Sequence, residues 1–209
     1  MKKSDLVIVI GRQYGAGGRR LGRAIAQRLG LPYFDKELLQ EAAERFGFNK
    51  SVFETSDEKR PSLLHSLLNF NYNSVTYHFC TSAMNADDIY TAQSRVIRQL
   101  AEEGPCVIVG RTADYILRDM PGLISIFVHA DLKTRALRIV DRGECSSEPA
   151  ASDLAEKQDK LRRNYYNYFT GRNWGEASVY NLCIDSTHLS VDEMADLVMT
   201  FIEFRMKSK

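Results

Sequence analysis

Hydrophobic residues in this chain gather in short unbroken runs, and amphipathic stretches separate the runs. Five runs are typical of buried β-strands, because each is short and mainly apolar: Leu6–Ile10, Leu31–Phe34, Cys106–Val109, Leu123–Val128 and Tyr180–Asp185. Strands that alternate with helices pair in parallel through right-handed crossovers. The pattern therefore predicts an α/β fold, a five-stranded and mostly parallel sheet with helices on both faces.

Apolar residues recur at helical spacing in the intervening stretches. The sequence predicts helices at about residues 19–29, 36–46, 87–103, 131–142 and 152–168, a helix that starts near Ala113, and a final helix capped by Ser190. Gly30 ends the first helix, and Gly104-Pro105 ends the third. Residues 143–149 carry small polar side chains and are predicted to form a loop.

Residues 47–104 differ from the rest of the chain. They lack strand-like runs, and helical patterns alternate there with polar breaks. We therefore expect one domain in which a helical insert, at about residues 47–104, interrupts a core of residues 1–46 and 105–209.

Four glycines lie between the first strand and the first helix: Gly11, Gly15, Gly17 and Gly18. A glycine-rich link between a buried strand and a helix allows backbone N–H groups to approach a phosphate closely. A tight turn without a ligand is the alternative, but such a turn needs only one or two glycines.

Two dinucleotide patterns fit this loop poorly. The pattern GxGxxG fails because Arg20 stands where glycine or alanine is required. Gly11, Gly15 and Gly17 fit the GxxxGxG spacing of short-chain dehydrogenases. Those enzymes use a tyrosine with lysine four residues later, and no tyrosine of this chain has one.

The P-loop pattern GxxxxGK[ST] fits in part. The sequence Gly15–Gly17 matches its second half, but Gly18 replaces the lysine and Arg19 replaces the serine or threonine. The lysine places positive charge on the outer phosphates, and the hydroxyl holds Mg²⁺. Arginine cannot bind a metal, although Arg12, Arg19 or Arg20 could supply the missing charge.

Composition narrows the possible partners. The chain has 209 residues, with 28 Lys and Arg against 27 Asp and Glu and a net charge of +1. This balance argues against bulk binding of nucleic acid polymers or anionic membranes. There is no apolar run of membrane-spanning length, no secretory signal before the first strand and no CxxC pair, so we expect a cytoplasmic protein. The four histidines lack metal-ligand spacing, so we expect no metal site built by the protein.

Several short motifs, taken in order, resemble one kinase family. They are Arg12–Arg19, Pro32–Asp35, Val107–Arg111, Asp159–Arg162, Tyr165–Tyr168 and the Trp174-Gly175 turn. Together they span nearly the whole chain and are similar to the cytidylate kinase-like family, a member of the nucleoside monophosphate kinase group. The resemblance implies a P-loop kinase-like fold with a helical acceptor-binding insert and an arginine-rich lid at about residues 143–172.

The same resemblance implies roles for individual residues. ATP would lie over the glycine loop with Mg²⁺ as its cofactor, and a monophosphate acceptor would lie between the core and the insert. The acceptor-binding residues would be Asp35 and Arg111, although Thr112 replaces the aspartate that follows this arginine in cytidylate kinases. The catalytic residues would be Arg19, Asp159, Arg162 and Arg163. The nucleotide-binding residues would be Arg12, Tyr14, Gly15, Ala16, Gly17, Gly18, Arg19, Arg20 and Arg142.

The expected function is phosphoryl transfer from ATP to a nucleoside monophosphate similar to CMP or dCMP. Arginine suits this chemistry, because its planar guanidinium binds phosphate oxygens in pairs. Asp57 and Glu58 of the insert are candidates for contacts with the acceptor base or sugar, with a solvated loop as the alternative. A nucleotide-binding protein without turnover and a kinase of another small molecule remain open.

Overall fold

The structure is a computed structural model that describes residues 6–47 and 86–207. The strands are β1 (Val7–Arg12), β2 (Tyr33–Phe34), β3 (Cys106–Val109), β4 (Leu123–His129) and β5 (Leu182–Asp185). The helices are α1 (Gly18–Leu29), α2 (Lys36–Arg45), α3 (Ala86–Glu103), α4 (Ala113–Ile116), α5 (Leu132–Asp141), α6 (Glu148–Thr170) and α7 (Val191–Lys207), with a short 3-10 helix at Ala177–Val179.

The five strands form one sheet in the order β2-β3-β1-β4-β5. All four strand pairings are parallel, which confirms the predicted sheet. The central strand β1 is apolar along its first four residues, and those four residues are at most 1% exposed. A strand that is buried on both faces needs such an unbroken apolar run.

The two faces of the sheet carry separate cores. Ile8 and Ile10 of β1 point toward α1 and α7, whereas Val7 and Val9 point toward α2, α3 and α4. The chain thus leaves β1 toward one face and leaves β3 toward the other. The connecting loops diverge at the carboxyl edge of the sheet, where ligands bind in open parallel sheets.

Several predicted boundaries are wrong: β2 begins at Tyr33 rather than Leu31, and β5 begins at Leu182 rather than Tyr180. Helix α6 begins at Glu148 rather than near residue 152, and Ser147 caps it by accepting a hydrogen bond from the Ala150 N–H. Pro149 therefore lies in the first turn of the helix, where its missing N–H has no cost, and not in a loop. Strand β1 extends beyond Ile10 because Gly11 and Arg12 continue to pair with β4.

The predicted contacts of Asp57 and Glu58, with most of the predicted insert, lie outside the described residues. Among residues 6–47 and 86–207, no helix is long and apolar enough to cross a membrane.

Candidate functional site

The glycine loop joins β1 to α1 at the carboxyl edge of the sheet. Gly15 has φ 81° and Gly17 has φ 90°, a backbone conformation that glycine adopts without strain. Gly17 precedes α1, and no side chain caps the helix. The first turn contains Arg19 and Arg20 and no acidic residue. The free N–H groups and positive dipole end of α1, with two arginines beside them, form a site suited to an anion.

A buried ion pair holds this loop from beneath. Asp159 accepts a hydrogen bond from the Tyr14 N–H through Oδ1 at 2.7 Å and pairs with Arg135 through Oδ2 at 2.6 Å. Arg135 Nη1 also donates to the Tyr14 carbonyl oxygen at 3.2 Å. Burial raises the pKa of the Asp159 carboxyl, and the Tyr14 N–H and the Arg135 charge oppose that rise. Since both carboxylate oxygens are engaged, the geometry favours a positioning role for Asp159 over the expected catalytic role.

The other end of the loop is fixed in a similar way. The fully buried Ser186 donates its hydroxyl to the Ala16 carbonyl oxygen at 2.8 Å. Arg138 donates to the Ser186 hydroxyl at 3.0 Å and to its carbonyl at 2.7 Å. The loop conformation is therefore set by the segment after β5 and by α5 as well as by its own glycines.

Tyr14 links the loop to the predicted lid segment. The guanidinium carbon of Arg162 lies 5.1 Å from the centre of the Tyr14 ring, and that of Arg142 lies 6.0 Å from it. The Tyr14 hydroxyl donates to Glu144, which also accepts from Arg142 Nε at 2.6 Å. Burial and the hydrogen bond with Glu144 raise the pKa of Tyr14. The ring thus holds two arginines beside the loop, where each guanidinium can reach an anion.

A strained turn faces the glycine loop across the edge of the sheet. Arg111 and Thr112 follow β3 after Gly110, with φ 59° and φ 53°, and each is 5% exposed. The left-handed conformation costs a non-glycine residue roughly 1–2 kcal/mol. Thr112 Oγ1 lies 3.1 Å from the Tyr90 hydroxyl and donates to the Arg111 carbonyl at 2.6 Å. Such strain persists where the surroundings enforce it, and it is typical of functional sites.

Asp35 supports the arginines of α1 from below the cleft. It is 2% exposed and lies 3.2 Å from Arg23 Nη2 and 3.9 Å from Arg19 Nε. Its Oδ1 accepts from the Leu38 N–H at 3.4 Å, so Asp35 also caps the start of α2. Burial alone would raise the pKa of Asp35, but hydrogen bonds with Glu37 and Leu38 and the charge of Arg19 lower it overall. The carboxylate is therefore ionised and engaged with the protein.

These elements enclose a cleft with a volume of about 480 Å³. Eight cationic side chains and two carboxylates line it, although the whole chain carries a net charge of only +1. Clefts lined by one sign of charge concentrate ligands of the opposite sign. The lining residues are Arg12, Gln13, Tyr14, Gly15, Gly17, Gly18, Arg19, Arg20, Arg23, Lys36, Glu37, Val109, Arg111, Arg142, Glu144, Gln158 and Arg162.

Most residues that the sequence singles out meet in this cleft, and four do not line it. Ala16, Asp35 and Asp159 are buried beneath it. Arg163 lines a different cavity, of about 630 Å³, together with Trp174. Neighbouring residues of a helix point about 100° apart, and on α6 Arg162 faces the cleft while Arg163 faces the other cavity.

Sequence reasoning assigned no site role to seven lining residues: Gln13, Arg23, Lys36, Glu37, Val109, Glu144 and Gln158. A signal for Arg23 was present, since it follows Arg19 by four residues on the same helix face. Glu144 and Gln158 reach the cleft only because α5 packs against α6, which the sequence pattern does not reveal.

A protein-held metal does not fit this cleft. Across residues 6–47 and 86–207, no group of three or more His, Cys, Asp or Glu side chains is arranged to hold a metal ion. Arg19 stands at the position of the metal-binding hydroxyl, and Asp35 is engaged with Arg19 and Arg23.

Comparisons with known proteins agree with this architecture. The chain is 27% identical over 209 residues to a cytidylate kinase of Pyrobaculum aerophilum, covering 98% of both chains. It is 24% identical to a cytidylate kinase of Pyrococcus horikoshii, covering 97% of this chain and 91% of that one.

Solved structures share the fold. An uncharacterized protein from Eubacterium ventriosum matches with a TM-score of 0.71 at 28% identity, covering 95% of this chain and 98% of that chain. A shikimate kinase from Bacteroides thetaiotaomicron matches with a TM-score of 0.55 at 13% identity over the same shares, a likeness of fold alone. The model of the cytidylate kinase-like family matches residues 7–188, and the chain belongs to that family.

Proposed function

We propose that the protein transfers a phosphoryl group from ATP to a nucleoside monophosphate similar to CMP or dCMP. The observation that carries this proposal is one cationic cleft with two anion-binding edges. The uncapped N-terminus of α1 forms one edge, and Arg111 forms the other. Two polyanions must approach each other in this reaction, and a cleft lined by arginines offsets their mutual repulsion.

The donor phosphates occupy the glycine loop in this proposal. Arg19 and Arg20 lie in the first turn of α1, where positive charge opposes the helix dipole. A triphosphate at the helix end would reverse that unfavourable arrangement, because it interacts with the dipole and both arginines together. Arg142 and Arg162, which pack on Tyr14, would close the outer side of the phosphates as part of the lid.

The acceptor phosphate binds Arg111 in this proposal. The strained turn after β3 places Arg111 in the lining of the cleft although the residue is 95% buried. A buried guanidinium is pre-organised and loses little freedom when it binds a phosphate. The names of the cytidylate kinases that resemble this chain favour a cytidine acceptor.

Magnesium enters with ATP in this proposal and is held by phosphate oxygens and water. It would neutralise part of the charge on the phosphate oxygens. The chain's own contribution is to align the two substrates and exclude water. Asp159 positions the loop, and Arg163 has no part in the reaction.

A second candidate function is nucleotide binding without turnover. It is favoured by the replacement of the P-loop lysine and hydroxyl by Gly18 and Arg19. Both candidate functions require ATP binding, and only the first converts ATP to ADP.

One assay distinguishes the two candidates. The protein is incubated with Mg-ATP and one acceptor at a time (CMP, dCMP, UMP, AMP or GMP), and ADP is measured. We expect ADP to form fastest with CMP or dCMP. Binding of ATP without ADP formation on any acceptor would support the second candidate, and failure to bind any nucleotide would refute both.

A further inference from the structure

The glycine loop differs from the P-loop pattern at two positions that lie next to each other. If Gly17 is the second glycine of GxxxxGK, the first glycine belongs at position 12 and the lysine at position 18. This chain has Arg12 and Gly18 there. The small residue and the cation have therefore exchanged places.

The structure places these two positions in direct contact. A Cβ atom added to Gly18 would lie 2.6 Å from Arg12 Cβ and 3.0 Å from Arg12 Cγ. Carbon atoms that are not bonded do not approach so closely. The aliphatic part of the Arg12 side chain therefore fills the space that the Cβ atom of a residue at position 18 would need. A lysine at position 18 is compatible only with a small residue at position 12.

The far end of Arg12 rests on a second glycine. A Cβ atom at Gly110 would lie 1.9 Å from Arg12 Nη1. Gly110 follows β3 and precedes Arg111, so the guanidinium spans from the start of α1 to the acceptor edge. Arg12 also lines the cleft, and its carbonyl oxygen accepts a hydrogen bond from Arg162 at 3.3 Å.

We propose that Arg12 is the catalytic cation that replaces the P-loop lysine, and that Gly18 and Gly110 exist to admit it. This inference rests on the proposed function and extends it to the reacting group. An acceptor phosphate oxygen bonds to the terminal phosphorus of ATP while the bond from that phosphorus to the bridging oxygen breaks. ADP leaves with the electron pair, and Arg12 binds the oxygens of the group in transfer.

The test is a reciprocal exchange of the two residues. The variants are Arg12→Gly, Gly18→Lys and the double variant Arg12→Gly/Gly18→Lys, which restores GxxxxGK. Arg205→Ala is the matched control, because Arg205 is exposed at the end of α7. Each variant is measured for melting temperature, for the ratio of ATP to ADP affinity, and for turnover with CMP.

We expect Arg12→Gly to lower turnover by about 100-fold or more. We expect it to reduce the preference for ATP over ADP by about tenfold, since a charge-assisted contact with the terminal phosphate is lost. Gly18→Lys alone lowers the melting temperature through its clash with Arg12. The double variant recovers at least tenfold over either single variant, and Arg205→Ala matches the parent.

Two outcomes overturn the inference while the proposed function stands. One is an Arg12→Gly variant that folds and keeps both turnover and the preference for ATP. The other is a folded double variant that is no better than Arg12→Gly. A further variant, Gly110→Ala, tests the contact between Gly110 and the Arg12 guanidinium without removing a charge. Unchanged turnover of Gly110→Ala would contradict the inference. A parent protein that binds no nucleotide refutes the proposed function itself.

Discussion

The substitution Asp159→Asn tests most directly whether the Asp159–Arg135 ion pair supports the glycine loop. Asp159 and Arg135 form an ion pair whose side chains are each 7% exposed. Asparagine keeps the volume of the side chain and an oxygen for the Tyr14 N–H, but it leaves the Arg135 charge buried without its counterion. Removal of one partner from a buried pair costs about 3–5 kcal/mol in the free energy of unfolding.

That loss corresponds to a large shift in thermal stability. For a chain of this length, each kcal/mol lowers the melting temperature by about 2–4 °C, so we expect a decrease of about 6–20 °C. ATP affinity is expected to fall as well, because both polar backbone groups of Tyr14 are held by this pair. Urea denaturation and nucleotide titration measure the two effects separately.

A paired substitution serves as the control. When Arg135→Met accompanies Asp159→Leu, no charge remains buried, and we expect more than half of the lost stability to return. The reasoning is refuted if Asp159→Asn costs less than about 1 kcal/mol, the usual size of an exposed pair. A variant that keeps full stability and ATP affinity but loses turnover would instead give Asp159 the catalytic role expected from the sequence.

Substitutions at three other positions test the roles of Arg111, Gly22 and Asp35. Arg111→Gly should be more stable than Arg111→Ala by about 1–2 kcal/mol, because only glycine adopts the positive φ without strain. Both variants should raise the KM for the acceptor and leave ATP affinity unchanged. Equal stability of the two variants, or an unchanged KM, would contradict this prediction. Gly22→Ala should destabilise the fold by about 1–3 kcal/mol in urea denaturation. The added Cβ would lie 2.9 Å from Val109 and 3.0 Å from Tyr33. A neutral effect would contradict this prediction and show that α1 can shift away from the sheet. The pKa of Asp35 is lower in the folded protein than its ordinary 3.8. The ionised carboxylate therefore stabilises the fold above about pH 4. This stabilisation is lost as the pH falls through the folded-state pKa. Asp35→Asn should therefore flatten the decline of stability in acid, and an unchanged pH profile would remove Asp35 as its source.

The sequence predicts the strands of this fold well for a simple reason. A central parallel strand is buried on both faces, so β1 and β3 must be unbroken apolar runs, and such runs are visible in the sequence. The ends of the strands are less visible. Gly11 and Arg12 belong to β1 only because the neighbouring β4 continues to pair with them.

The sequence locates the candidate site but not the roles within it. The glycine loop and Arg111 stand at strand ends, and strand ends meet at one edge of a parallel sheet. The family resemblance implied a catalytic role for Asp159, and Arg135 stands in the sequence as one of several arginines along α5 with no sign that it is buried. That Arg135 is instead 6% exposed follows from the packing of α5 against α6, which no local pattern encodes.

The central claim is that the cationic cleft brings two nucleotides together for direct phosphoryl transfer. The most direct measurement uses ATP labelled at its terminal phosphate, mixed with the protein and CMP or dCMP, and follows the label. We expect the label to appear in the corresponding cytidine diphosphate, and we expect Arg111→Gly to slow its appearance. Label that stays on ATP, or appears only as inorganic phosphate with every monophosphate tested, would contradict it.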